Sequence, residues 1–273
     1  MKRWISNGFH AAWRQPFAVL TLFVYNLIWG VVIYKLLHEI IVPLLHRYPG
    51  QAMSKEASQL FWIESQFQLT KTDLLHEYLW WAAALLLLRM LLTPALNAGL
   101  YYSLHHTSLN AGYRFFEGVR KLTLPFLGYY ALQMILMLAP LYWVIMEGAE
   151  SLSHRFTYSS IAADMLPVLA IYAVYGYIVQ LAFMYAQFGK ASGGSPWEGI
   201  YTMFKGILPA VVISLSLLLV TLLLSAAAMS VSMIWAGFLT LLLYQAHRLI
   251  HMFCKVWSVA AQYNVWLSKT RRQ

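Results

Sequence analysis

The chain has 273 residues, of which 60% are hydrophobic and 11% charged, with a net charge of +9. Soluble domains carry about 45–50% apolar and about 25% charged residues, so this chain has too few charges to coat a soluble ball of its size. The charges sit between long apolar runs, the pattern of a polytopic membrane protein, which excludes a soluble enzyme, a secreted disulfide scaffold or a disordered tail.

Taken in chain order, the first element is an amphipathic segment over 4–15, closed by Pro16. It mixes Trp4, Phe9 and Trp13 with Arg14, and aromatics at headgroup depth beside basic side chains predict a helix lying in the interface. An apolar span follows over 17–37. It is a retained span, because it is longer than a signal-peptide core and no small-residue cleavage site follows. An outer loop is expected over 43–77. In it, 54–69 reads as a helix on the outer leaflet, and Asp73 is placed to cap the next span, since a carboxylate accepts from free first-turn N–H groups.

Spans over 78–104, 122–146 and 165–188 come next, each long enough to cross about 30 Å of hydrocarbon at about 1.5 Å per residue. The region 207–243 is uncharged and would be roughly 55 Å as one helix, too long for a single crossing. Small residues over 225–232 predict a tight turn there, giving spans over 207–226 and 231–252 and a tail over 253–273. Two further amphipathic segments, 109–121 and 196–205, carry the same aromatic and basic mixture as the first and precede Pro125 and Pro209. The expectation is an all-α protein: six transmembrane helices as three hairpins, each preceded by an interfacial amphipathic helix, in a single membrane domain over 1–273.

Charge fixes the orientation. One face of this topology holds thirteen basic residues against the acids Glu117 and Glu198, whereas the other holds four basic residues and seven acids. By the excess of Lys and Arg in cytoplasmic loops, both termini are expected in the cytoplasm, in a bacterial-type plasma membrane. The positive charge therefore reads as a topology signal and as contact with anionic lipids at the cytoplasmic face, with no nucleic-acid partner. The lone Cys254 rules out an intramolecular disulfide and a multi-cysteine metal site.

The stretch Ala98-Gly99-Leu100-Tyr101-Tyr102, followed by Phe115-Phe116-Glu117-Gly118-Val119-Arg120-Lys121, resembles a broad group of bacterial six-helix membrane proteins. These are similar to the membrane domain attached to some glycerophosphodiester phosphodiesterases. The likeness covers most of the chain as architecture and 98–121 as residues. It implies a six-helix membrane domain; the catalytic barrel of that group is not matched here, so no activity and no functional residue carries over.

Among single residues, Arg89 is the sharpest feature. It falls near the middle of its span, where an Arg costs at least about 2.5–3.5 kcal/mol to insert. Asn26, Gln133, Gln180 and Thr93 lie at comparable depth. Together they read either as a structural Arg held by amides and carbonyls or as a midplane anion site. His247 and His251, four apart with Cys254 beyond, and His105 with His106, are the metal or haem candidates, but a firm third ligand and a carboxylate partner are missing from the pattern. Gly193-Gly194-Ser195-Pro196 lacks the Walker lysine and a nucleophile elbow, and reads as a link ending in the cap of the 196–205 helix.

The expected function is thus a non-catalytic accessory or assembly component of an envelope or transport system, with no cofactor, whose partner would be a membrane protein or a second copy of itself. The alternative is a small transporter or lipid-handling protein with an anion site around Arg89.

Overall fold

A computed structural model describes residues 2–46, 74–154, 158–234 and 238–270, which are almost entirely helical, with no strand among them. In chain order these are α1 (Lys2–Trp13), α2 (Pro16–His46), α3 (Leu74–His105), α4 (Ala111–His154), α5 (Tyr158–Ala191), α6 (Pro196–Lys205), α7 (Ile207–Ile234) and α8 (Phe238–Thr270). Five helical stretches are long and apolar enough to cross a membrane: Pro16–Glu39, Tyr78–His105, Ala111–Ala149, Ala163–Ala191 and Ile207–Val231. Leucines, valines and tryptophans along them point outward, for example Leu86, Leu87, Leu218 and Leu222. A helical membrane protein meets that description, since lipid is as apolar as the side chains it faces.

Several expected boundaries are corrected. The small residues over 225–232 do not turn; α7 runs through them to Ile234. Alanine is the best helix former, and the hydroxyls that could compete with the backbone are absorbed locally: Ser230 donates to the Ala226 carbonyl at 2.9 Å and Thr221 to Leu217 at 2.8 Å. The segment 109–121 is not a separate helix. It is the first three turns of α4, which continues through Pro125 and Pro140 for 44 residues. A proline inside a helix removes one hydrogen bond and strains one turn, and so long a helix tolerates the loss. Nor is 253–273 a tail: α8 carries on to Thr270 and buries Val256, Ala260, Ala261, Gln262 and Val265. The outer-leaflet helix expected over 54–69 and the Asp73 cap lie outside the described residues.

The chain divides into two compact units, one of 21–93 and the other of 1–20 together with 94–273. In the first, α2 and α3 run antiparallel, tied by the Tyr25 and Thr93 hydroxyls at 3.1 Å and by the Arg89 guanidinium lying 5.9 Å from the Trp29 ring centre.

The second unit is organised in a cycle. Glycine in each amphipathic segment lets it lie backbone to backbone on a long helix. A Cβ on Gly8 of α1 would stand 2.7 Å from the Ala261 Cα of α8; on Gly118 of α4, 3.1 Å from the Gly99 Cα of α3; on Gly199 of α6, 3.1 Å from the Ala186 Cα of α5. Two residues beyond each contact stands an aromatic ring: Tyr263, Tyr101 and Phe188. Phe188 meets both others, at 5.0 Å from Tyr101 and 5.4 Å from Tyr263 between ring centres. The three modules expected from the sequence therefore share one contact, each amphipathic segment docking on the last helix of the module before it, with α1 closing the ring on α8.

Polar hydrogen bonds fix this arrangement. Gln262, fully buried, accepts from the Tyr185 hydroxyl at 2.9 Å and donates to the Ala210 carbonyl and the Ser214 hydroxyl, both at 2.7 Å, tying α5, α7 and α8. The Trp257 indole donates to the Ile5 carbonyl at 2.9 Å, fastening α1 to α8. Antiparallel packing follows in the other pairs: Tyr172 and Tyr175 of α5 donate to the Met137 and Leu136 carbonyls of α4, and Ile213 and Leu217 of α7 share a core with Ala261 and Val265 of α8.

Candidate functional site

Between α3, α4, α5, α7 and α8 of the second unit lies a half-open cavity of about 670 Å³. Its walls repeat at helical spacing. α5 contributes Tyr177, Gln180, Leu181, Met184 and Gln187; α7 contributes Ser214, Leu217, Leu218, Thr221 and Leu222; α8 contributes His251, Cys254, Lys255, Ser258 and Val259. Steps of three and four residues put each set on one helix face. Pro94, Asn97 and Tyr101 of α3 and Tyr130 and Gln133 of α4 complete the lining.

Two of the five residues expected around a midplane site, Gln133 and Gln180, share this cavity. Asn26, Arg89 and Thr93 belong to the other unit. Asn26 donates its amide to the Leu22 carbonyl of its own helix at 2.8 Å. The Arg89 side chain is exposed and spreads over Trp29, a contact worth about 0.5–1 kcal/mol at an exposed site. None of the three lines the cavity. Its basic groups are instead Lys255 and His251, both from the segment expected to be the end of a span and a tail.

The electrostatics are one-sided. Among the described residues no aspartate or glutamate lines the cavity, while a lysine, a histidine, four side-chain amides and several hydroxyls do. The Tyr177 hydroxyl is buried with no hydrogen-bond partner among the described residues. An orphaned hydroxyl costs about 1–3 kcal/mol, so a polar atom brought in by a ligand would find a donor ready. Apolar walls beside those groups, from Leu181, Leu217, Leu218, Leu222 and Val259, suit hydrocarbon.

No family model, curated protein or solved structure matches the chain.

The metal candidates are placed as follows. His247 and His251 stand with ring centres 6.3 Å apart on one turn of α8, and His105 bonds the Tyr263 hydroxyl through Nδ1 at 2.6 Å. Among the described residues no three His, Cys, Asp or Glu side chains gather as a metal would require. The link over 192–195 does end in a cap: Ser195 accepts from the Trp197 N–H at 3.3 Å and Pro196 opens α6. Gly193 takes φ of 84°, the left-handed turn that ends α5.

Sequence reasoning missed Asn97, Tyr177, Gln187, Lys255 and Ser258 as companions of Gln133 and Gln180. The signal was present in α8, where His251, Cys254, Lys255 and Ser258 fall on one face. Reading 253–273 as a tail hid it.

Proposed function

We propose that the chain is a six-span protein of a bacterial-type plasma membrane, both termini cytoplasmic, that holds an anionic amphiphile of the lipid class in the cavity between α3, α4, α5, α7 and α8. One observation carries the reading: the cavity joins basic and hydrogen-bonding groups to leucine walls and has no acid in its lining. A lipid headgroup needs the first and its chains the second, and about 300–1,000 Å³ is the ordinary range for such a site.

The crossings counted are the five apolar stretches and, as the sixth, the first half of α8, which follows α7 after a three-residue interval. Orientation rests on thirteen basic residues against four on the opposite face. The reading retains the lipid-handling expectation and moves its seat from Arg89 to Lys255 and His251. It requires binding and positioning, and no catalytic step.

Native mass spectrometry of untagged protein in a gentle detergent tests it. The expected result is a species heavier than the 31.3 kDa chain by one phospholipid, with the adduct weakened in a Lys255→Gln, His251→Gln double variant. A bare chain, or an adduct equally retained by that variant, would overturn the reading. A co-travelling polypeptide in place of lipid would favour the accessory role.

A further inference from the structure

A second cavity, of about 480 Å³, lies at the seam where α1 closes the ring, between α1, the end of α3 and α8. Its polar groups are basic and amide: His10 of α1, Arg14 just past the end of α1, His105 at the end of α3, Asn7 and Asn264. Among the described residues no acid is in the lining. His105 can accept the Tyr263 hydroxyl at Nδ1 and so offer Nε2–H to a ligand, whereas His10 donates Nδ1–H to the Ser6 carbonyl and so offers Nε2 as an acceptor for a phosphate P–OH.

Arg114 supplies an independent observation. It is 5% exposed, and it bonds the Arg14 carbonyl at 2.9 Å, the Gln15 side-chain oxygen at 3.1 Å and the Thr107 carbonyl at 3.4 Å. All three acceptors are neutral and belong to residues that line this cavity. Among the described residues its Nε has no partner, and the ion pair formed there, Lys121 with Glu117, lies elsewhere on α4. A buried guanidinium without a counter-charge is costly, and an anion a few ångströms away offsets that cost.

We infer that this seam is a phosphate site: the cavity takes a phosphate group, presented by a phosphomonoester lipid headgroup or as the free ion, held by Arg14, His10 and His105 and serving as counter-charge to Arg114. The site is separate from the amphiphile cavity, sharing none of its lining residues, so either can fail without the other. Guanidinium donors suit phosphate oxygens because charge-assisted bonds are about twice as strong as neutral ones.

The test measures equilibrium binding to the purified full chain in neutral detergent with three probes: inorganic phosphate, short-chain phosphatidic acid, and short-chain phosphatidylcholine. Phosphatidic acid is expected to bind at least tenfold tighter than phosphatidylcholine, and Arg14→Gln with His10→Gln is expected to weaken it at least tenfold. Both are exposed side chains, in α1 and just past its end, so the variant should fold, which its helical circular dichroism would verify. Lys205→Gln, which removes a cation of the same face outside the cavity, is expected to leave binding unchanged. Saturable binding of inorganic phosphate that is lost in the same variant would assign the site to the free ion; binding confined to phosphatidic acid would assign it to a headgroup. No preference over phosphatidylcholine, or an equal loss in Lys205→Gln, would overturn the inference.

Discussion

Replacing Gln262 by leucine probes how the second unit is held together. Its amide makes three bonds to two other helices, to Tyr185, Ala210 and Ser214, in a place with no solvent exposure. Hydrogen bonds between membrane helices average about 0.6 kcal/mol and reach about 1.7 kcal/mol, so three contribute about 2 kcal/mol. The change also strands the Tyr185 hydroxyl, 0% exposed, adding about 1–3 kcal/mol, while leucine's greater apolarity returns part of this. A net loss of about 3 kcal/mol is expected, read as reversible unfolding in mixed micelles of dodecyl maltoside and sodium dodecyl sulfate, followed by circular dichroism. Tyr185→Phe removes the stranded group. In that background Gln262→Leu should therefore cost about 1–2 kcal/mol less, a coupling that a double-mutant cycle isolates. A loss under about 0.5 kcal/mol for Gln262→Leu, or no relief from Tyr185→Phe, would refute the assignment of this residue as a helix tie.

The ring contacts make a graded glycine series. Gly199→Ala would put a methyl 2.1 Å from the Tyr185 carbonyl oxygen and should cost more than about 2 kcal/mol, with Gly8→Ala and Gly118→Ala close behind. Gly128→Ala, which meets nothing within 4 Å, should be neutral or stabilise by about 0.5–1 kcal/mol in the same unfolding assay. Ser195→Ala, which deletes the cap on Trp197, is expected to lower stability by about 1 kcal/mol. Arg89→Gln should lose about 0.5–1 kcal/mol with the Trp29 contact and leave any lipid adduct intact; disappearance of the adduct in the native mass spectrum would return the site to Arg89. Cys254, 6% exposed and on the wall of the larger cavity, should react slowly with a bulky maleimide and faster with a small methanethiosulfonate, and equal rates would contradict a confined approach.

Local chemistry in the sequence foretold much of the fold. Apolar runs marked the five long stretches, and Ser195 with Pro196 marked the start of α6, because both signals act within one or two turns of the residues that carry them. What failed was the end of each rule. Small residues over 225–232 permit close packing as readily as a turn, and only the partner helix decides between the two. The basic, aromatic segment after 252 looked like a surface tail because its burial depends on α1, more than 240 residues earlier. The stretch Ala186-Gln187-Phe188 recurs as Ala261-Gln262-Tyr263, and that repeat alone would have placed 260–263 inside the protein. Likewise Gly99 and Gly118 meet each other across α3 and α4 and mark a helix crossing. The cavity was half legible. Gln133 and Gln180 were singled out by their depth, but Lys255 reaches them only through helix packing that no periodicity encodes.

The docking of α1 on α8 also sets a schedule for assembly. The Trp257 indole bonds the Ile5 carbonyl across 252 positions of sequence. At a synthesis rate of about 5–20 residues per second, α1 emerges roughly 12–50 s before its mate exists. In that interval its aromatic side has only headgroups to rest on, and the ring at this end of the protein stands open. α8 is thus the helix that completes it, so a ribosome that stalls before Ala261 leaves a chain whose other two docking contacts can form but whose α1 has nowhere to settle. A quality-control protease would find α1 unprotected on every such chain.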